Sequence, residues 1–286
     1  MQPSIRKNTA YNMIKTLASI IFPLITFPYI SRVLQPENVG KVNFGSSIVS
    51  YFSLAATLGV TTYAIRECSA TRGDQKKLER TASEIISINT VTMLLSYAAL
   101  ILCLIFVPKL ADYRLLIAIQ SLSIFFTVIG ADWLNTSMED FRYITLRTVA
   151  FQFVSLVLMF LFVKGPEDYI IYGVISLVAS SAGNLCNVFY RHKYGNIHLV
   201  RQMNWKKHMP AIMGLFVMLL SQTIMGSIDQ TMLGFIKGDY EVGLYSVASK
   251  VVQIILQVVA SIIWVVMPQL TQGFDNKDYK SINAIL

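Results

Sequence analysis

Charge is what this chain has least of. Only 14% of its 286 residues are Asp, Glu, Lys or Arg, against roughly 25% in ordinary soluble domains. Hydrophobic residues make up 54%, and mean hydropathy is +0.55. A water-facing helix needs a charged side, so this scarcity excludes a soluble domain. So much apolar surface also excludes a disordered tail. Cysteine is scarce too: Cys68, Cys103 and Cys186 stand far apart, with no C-x-x-C and no metal-ligand spacing. A disulfide scaffold, a redox pair and a zinc site therefore lack support. There is no Gly-rich loop ending in GK[ST], no H-E-x-x-H and no G-x-S-x-G, so ATPase, zinc-protease and serine-hydrolase readings have no motif and no cofactor is expected. His192, His198 and His208 share one basic stretch and read as solvated surface. Asp132, Glu139 and Asp140 read as a helix-capping loop rather than as catalytic carboxylates.

What the chain does have is long apolar runs. A spanning helix needs about 20 mostly apolar residues, and eight such runs occur, at 9–34, 43–64, 82–107, 114–134, 143–163, 168–190, 210–236 and 242–270. Strands of a membrane barrel would alternate polar with apolar over about 10 residues. The run Val91 to Val107 does not alternate. The expectation is an all-α, polytopic membrane protein with eight transmembrane helices. The first run is too long for a signal peptide, and no small-residue cleavage site follows it, so it reads as a retained span.

The basic residues set the orientation. With the N-terminus inside, sixteen Lys and Arg fall in cytoplasmic parts and six in outer loops. Cytoplasmic excess is the topological rule. This bias accounts for the net charge of +8 without a nucleic-acid partner. Asn135-Thr136-Ser137 matches a glycosylation sequon but falls inside.

An internal repeat appears at an offset of 203 residues. "NVGKVNFGSSIV" from Asn38 lines up with "EVGLYSVASKVV" from Glu241. Val39-Gly40 matches Val242-Gly243, and Gly45-Ser46 matches Ala248-Ser249. Shared helix-start chemistry would give a similar match. The placement favours duplication, because spans 1–2 recur as spans 7–8 in the same orientation, as in a parallel repeat about the membrane normal. The domain reading is a six-helix N-terminal lobe (1–190), a cytoplasmic linker (191–209) and the start of a second lobe (210–286). Two six-helix lobes imply twelve helices, so the sequence reads as part of a longer transporter.

Four spans carry polar stripes at helical spacing. Span 1 has Asn8, Asn12, Lys15, Ser19 and Thr26; span 2 has Asn43, Ser46, Ser50, Ser53 and Thr57. Span 8 has Ser246, Lys250, Gln253, Gln257 and Ser261, and span 7 has Gln222, Gly226 and Asp229. Such stripes must face protein or a wet cavity. Small and hydroxyl residues serve as packing glue, whereas two glutamines and a lysine on one face fit a cavity better. The candidate cavity set is Asn12, Lys15, Ser19, Ser50, Ser53, Asp229, Ser246, Lys250, Gln253 and Gln257. Lys15 is also placed to snorkel to the surface. Pro23 and Pro28 kink span 1, either statically or as a hinge. Ionisable groups inside spans are functional candidates. Counted from the expected helix ends, Asp229 and Lys250 lie at similar depths, about 10 and 12 Å. This predicts an ion pair between them, either purely structural or open to competition from an anionic substrate.

Four stretches carry a family resemblance: "PLITFPYISRVLQPENVG" (Pro23 to Gly40), "YAIRE" (Tyr63 to Glu67), "DWLNTSMEDFRYITLR" (Asp132 to Arg147) and "VGLYSVASKVVQI" (Val242 to Ile254). They resemble the bacterial O-antigen and polysaccharide repeat-unit flippases of the multidrug, oligosaccharidyl-lipid and polysaccharide exporter superfamily. Gln35 stands where that motif leads one to expect glycine. The resemblance implies two six-helix lobes around a central cavity in the bacterial inner membrane. It implies a transporter, not an enzyme, that moves an oligosaccharide on undecaprenyl diphosphate from the cytoplasmic to the periplasmic leaflet. The implied partners are the lipid-linked oligosaccharide, membrane lipids and the polysaccharide polymerase machinery. Two other readings stay open: a multidrug cation exporter of the same fold, and a non-transporting scaffold of the polysaccharide machinery. An anionic diphosphate calls for cavity lysines, and a cationic drug for carboxylates.

Overall fold

The computed structural model describes residues 5–275, with side chains described over 7–257. Every regular element in that range is helical. Helix α1 (Ile5–Val33) is joined through Leu34 to α2 (Gln35–Thr57), and α3 (Val60–Ala70) continues its path. Helix α4 (Gln75–Phe106) leads through a short turn to α5 (Arg114–Gly130) and α6 (Asp132–Ser137). Then come α7 (Phe141–Phe162), α8 (Tyr169–Leu177), α9 (Asn184–Tyr190), α10 (Trp205–Ile236) and α11 (Asp239–Asp275). Among the described residues, seven helical stretches are long and apolar enough to cross a membrane. They match the first seven expected runs. Much of the eighth lies where side chains are not described, although α11 itself is helical over 37 residues. Ser261, Lys277 and Lys280 lie outside the residues whose side chains are described.

Three expected spans are interrupted rather than straight. The second breaks at Leu58 and Gly59, both left-handed (φ 46° and 76°). The break frees the carbonyl of Ala56, which Asn89 Nδ2 and Thr92 Oγ1 of α4 satisfy at 2.7 and 2.6 Å. An orphan helix-end carbonyl thus finds donors inside the bundle, as the membrane interior requires. The fourth breaks at Ala131 (φ 43°). The sixth contains a π-helical turn at Val178–Ala182. Helix α1 runs unbroken through Pro23 and Pro28.

Polar caps mark several helix starts. Asp74 caps α4 by accepting from the Lys77 amide, Asp140 caps α7 through Tyr143, and Asn204 caps α10 through Lys207. Such side chains satisfy amides that the helix leaves open. Asn204 sets the start of α10 at Trp205, so residues 205–209 of the expected linker are helical.

The loops that the charge count places together do meet at one end. Arg72 Nε donates to the Ser137 carbonyl at 2.6 Å, and the Asn196 amide to Glu79 Oε1 at 3.0 Å. At the other end, Asn38 reaches the Pro166 carbonyl and Tyr113 reaches Asp239. The outer surfaces of α4, α7 and α10 carry exposed Leu95, Phe106, Phe153, Phe162, Val217 and Met225. Apolar surface on this scale marks a lipid-facing exterior.

Candidate functional site

Helices α2 and α11 pack along one another from their first turns, and glycine permits the approach. A Cβ on Gly40 would strike the Asp239 carbonyl, and a Cβ on Gly243 would strike the Pro36 carbonyl. Val39 and Val242 are buried beside them. The Val-Gly repeat read from sequence is therefore a point of physical contact between its own two copies.

Helix α10 closes on α2 through hydroxyls. Ser50 Oγ donates to Ser227 Oγ at 2.9 Å, and Thr231 Oγ1 donates to Ser47 Oγ at 2.9 Å. Phe44 meets Phe235 edge-on at 5.4 Å. Ser50, expected to line a cavity, is thus engaged in helix packing. Bonds of this kind are worth on the order of 1 kcal/mol in membranes.

The remaining candidates divide by surroundings. On α1, Asn12 and Ser19 are exposed, and Ser19 Oγ donates to the Lys15 carbonyl of its own helix. Ser53 is half-buried. On α11, Ser246 follows Gly243 by one turn and is buried, with no hydrogen-bond partner for its hydroxyl. Lys250 is half-buried one turn further, and Gln253 and Gln257 are exposed beyond it. The α11 stripe therefore starts in the glycine contact and runs into uncovered helix. The ammonium groups of Lys15 and Lys250 have no partner among the described residues. Helix α1 touches both α2 and α11, so the three stripes belong to one neighbourhood. They do not line either of two cavities found elsewhere, of about 710 and 360 Å³.

The expected Asp229–Lys250 ion pair is absent. Asp229 instead accepts a hydrogen bond from the Tyr245 hydroxyl. The reason is depth. Helix α11 begins at Asp239, earlier than expected, so Lys250 lies about 16 Å along it, at ~1.5 Å per residue. Tyr245 lies about 9 Å along, close to the ~10 Å that separates Asp229 from the end of α10.

A second cluster was not foreseen. His208, expected at the solvated surface, is fully buried on α10. Its Nδ1 lies 2.7 Å from Tyr63 Oη, and its Nε2 lies 2.9 Å from Glu84 Oε2. Arg80 Nε donates to the other oxygen of Glu84 at 3.0 Å. Helices α3, α4 and α10 are joined through this one imidazole. The preceding linker is stitched to α4: the amides of Asn196, His198 and Val200 donate to Glu79, Ser83 and Ser87 at 3.0, 3.3 and 2.8 Å. Glu79, Ser83 and Ser87 stand about one turn apart on α4, about 5.4 Å, so alternate linker amides meet successive turns. Glu79, Ser83 and Ser87 at four-residue spacing were the available sequence signal. Nothing in the sequence marked His208 as buried.

The Asp132 to Arg147 stretch also folds into a lock. Arg147 pairs with Asp132 at 3.0 Å and donates to Asn187, which itself donates to Asp132 at 3.1 Å. Nearby, Asp140 accepts from Tyr190 at 2.7 Å and from Lys193 at 2.6 Å. Burial raises the pKa of Asp140, but these bonds outweigh it and hold the carboxyl below its usual range. These acidic residues are engaged by basic, amide and hydroxyl partners of the fold. Among the described residues, no group of three His, Cys, Asp or Glu is placed to hold a metal.

Comparison with known proteins agrees with the motifs. A family model described as "Polysaccharide biosynthesis protein" matches residues 5–274. Two curated proteins, each named "Putative O-antigen transporter", are similar to the chain. One is from Shigella dysenteriae, 22% identical over 274 residues, covering 94% of this chain and 68% of that protein. The other is from Escherichia coli (strain K12), 22% identical over 251 residues, covering 87% of this chain and 60% of that protein. No solved structure matches the chain.

Proposed function

The chain belongs to the polysaccharide biosynthesis protein family, a family of multi-pass membrane transporters, and from that premise we propose that it moves a lipid-linked oligosaccharide across the membrane. The cargo is an oligosaccharide repeat unit on undecaprenyl diphosphate, carried from the cytoplasmic to the periplasmic leaflet of the bacterial inner membrane. The N-terminus lies inside. Residues 1–190 form one lobe, 191–209 include the cytoplasmic linker, and α10 and α11 begin the second.

The observation that carries this reading is the unpaired Lys250. A lysine held half-buried in a span without a counter-charge is expensive. The cost is sensible where an anion binds in its working cycle, and ammonium is a strong point charge for phosphate. The Tyr245 hydroxyl satisfies one oxygen of Asp229, the carboxylate a cationic drug would need. The α2–α11 contact is tightest at the two glycines, and from there the polar stripe continues along α11 through Lys250, Gln253 and Gln257. With the N-terminus inside, that stripe runs from the outer side toward the cytoplasm, with Lys15 on the neighbouring α1.

The polar bonds between α2 and α10 favour a second reading, a non-transporting scaffold with sealed packing. Deletion of the native gene separates the two. Loss of surface polysaccharide with lipid-linked repeat units trapped in the cytoplasmic leaflet is the expected result. Repeat units that still reach the outer leaflet contradict transport.

A further inference from the structure

An open cavity of about 710 Å³ lies between α4 and the linker, within the size range of small-ligand sites. Its wall is fixed in advance, because the linker backbone is tied to Glu79, Ser83 and Ser87. Arg80, His198, Arg201 and Gln202 line it. Glu84 is the one acid among the lining residues, and both its oxygens are committed, to Arg80 Nε and to His208. Arg80 therefore keeps its two terminal nitrogens for a ligand. The guanidinium of Arg201 and the amide of Gln202 have no partner among the described residues. Donors converge here in excess, and the acid that would cancel them is already occupied.

We propose that this cavity binds a phosphate or diphosphate ester, with Arg80 and Arg201 as the forked donors. Guanidinium groups suit phosphate oxygens in paired, charge-assisted hydrogen bonds. The site is separate from the Lys250 stripe and does not depend on the transport reading. The phosphate comes either from an anionic lipid headgroup in the adjoining leaflet or from a soluble ester.

Calorimetric titration of the purified full chain with inorganic pyrophosphate tests it. Saturable binding is expected. Arg201→Gln removes an exposed side chain with no structural partner and is expected to weaken binding about tenfold or more, the loss of a charge-assisted hydrogen bond. Lys76→Gln, an equal loss of charge at an exposed position, and Lys250→Gln are expected to leave it intact. Absence of saturable binding, or an equal loss in Lys76→Gln, overturns the proposal. Repeating the titration in nanodiscs identifies the source. Competition from phosphatidylglycerol but not phosphatidylcholine assigns the lipid headgroup, and undiminished binding in both assigns the soluble ester; either result supports the site.

Discussion

Gly40 and Gly243 occupy equivalent places on the two sides of one helix contact. Each abuts the carbonyl of the residue four before the other, Asp239 and Pro36. Those two residues are separated by the same 203 positions as the glycines. A contact in which i meets j and j meets i is the mark of two-fold symmetry, here between segments of a single chain. The weak sequence repeat thereby gains a geometric meaning, and it supports the proposed parallel duplication.

The seam tolerates no side chain at either glycine. Gly40→Ala or Gly243→Ala forces backbone apart, and overpacking of this kind costs about 1–3 kcal/mol. Thermal unfolding in detergent is expected to show a similar loss for each, because the contact is symmetric. Unchanged stability in either variant contradicts the symmetry.

Gln35 occupies a left-handed backbone position, with φ at 60°, where the family motif leads one to expect glycine. A side chain there costs about 1–2 kcal/mol, and the lower backbone entropy of a non-glycine in the unfolded chain recovers part of it. Gln35→Gly is expected to stabilise by about 0.5–1 kcal/mol, read as a rise in Tm.

His208 is the joint between α10 and the first helices. His208→Phe keeps an aromatic ring, slightly larger, but leaves Glu84 and Tyr63 each without a partner on that side. An unsatisfied buried group costs about 1–3 kcal/mol. Trypsin is expected to cut the 191–204 linker faster in this variant, because the joint anchors the helix that follows it. Unchanged cleavage would assign the cluster no role in holding the linker.

Asp140 supplies a pH dependence whose sign is fixed. Its folded pKa is depressed, so its contribution is present above the unfolded value of about 3.9. That contribution fades as pH falls through the folded value. The Tm gap between the native chain and Asp140→Asn is expected to be widest near neutral pH and to close in acid. A gap that widens in acid contradicts the assignment.

The sequence made the helices legible because lipid leaves one solution for a long apolar run: internal hydrogen bonding within a helix. It hid the breaks at Leu58 and Ala131, since neither residue type advertises a left-handed backbone. The stripe on α11 was readable from its spacing. Whether Ser50 served a cavity or a neighbouring helix was not, because a serine on a polar stripe suits both. The depth match of Asp229 and Lys250 failed on a three-residue shift in the start of α11, enough to bring Tyr245 to the carboxylate instead.

The claim that matters most is that the uncovered stretch of α11 receives an anionic headgroup. Titration of the purified protein with an undecaprenyl-diphosphate-linked sugar, comparing the native chain with Lys250→Gln, tests it directly. The account predicts binding weakened about tenfold by the substitution, with no competition from a lipophilic organic cation. Equal binding by both proteins, or tight cation binding that Asp229→Asn abolishes, would contradict it.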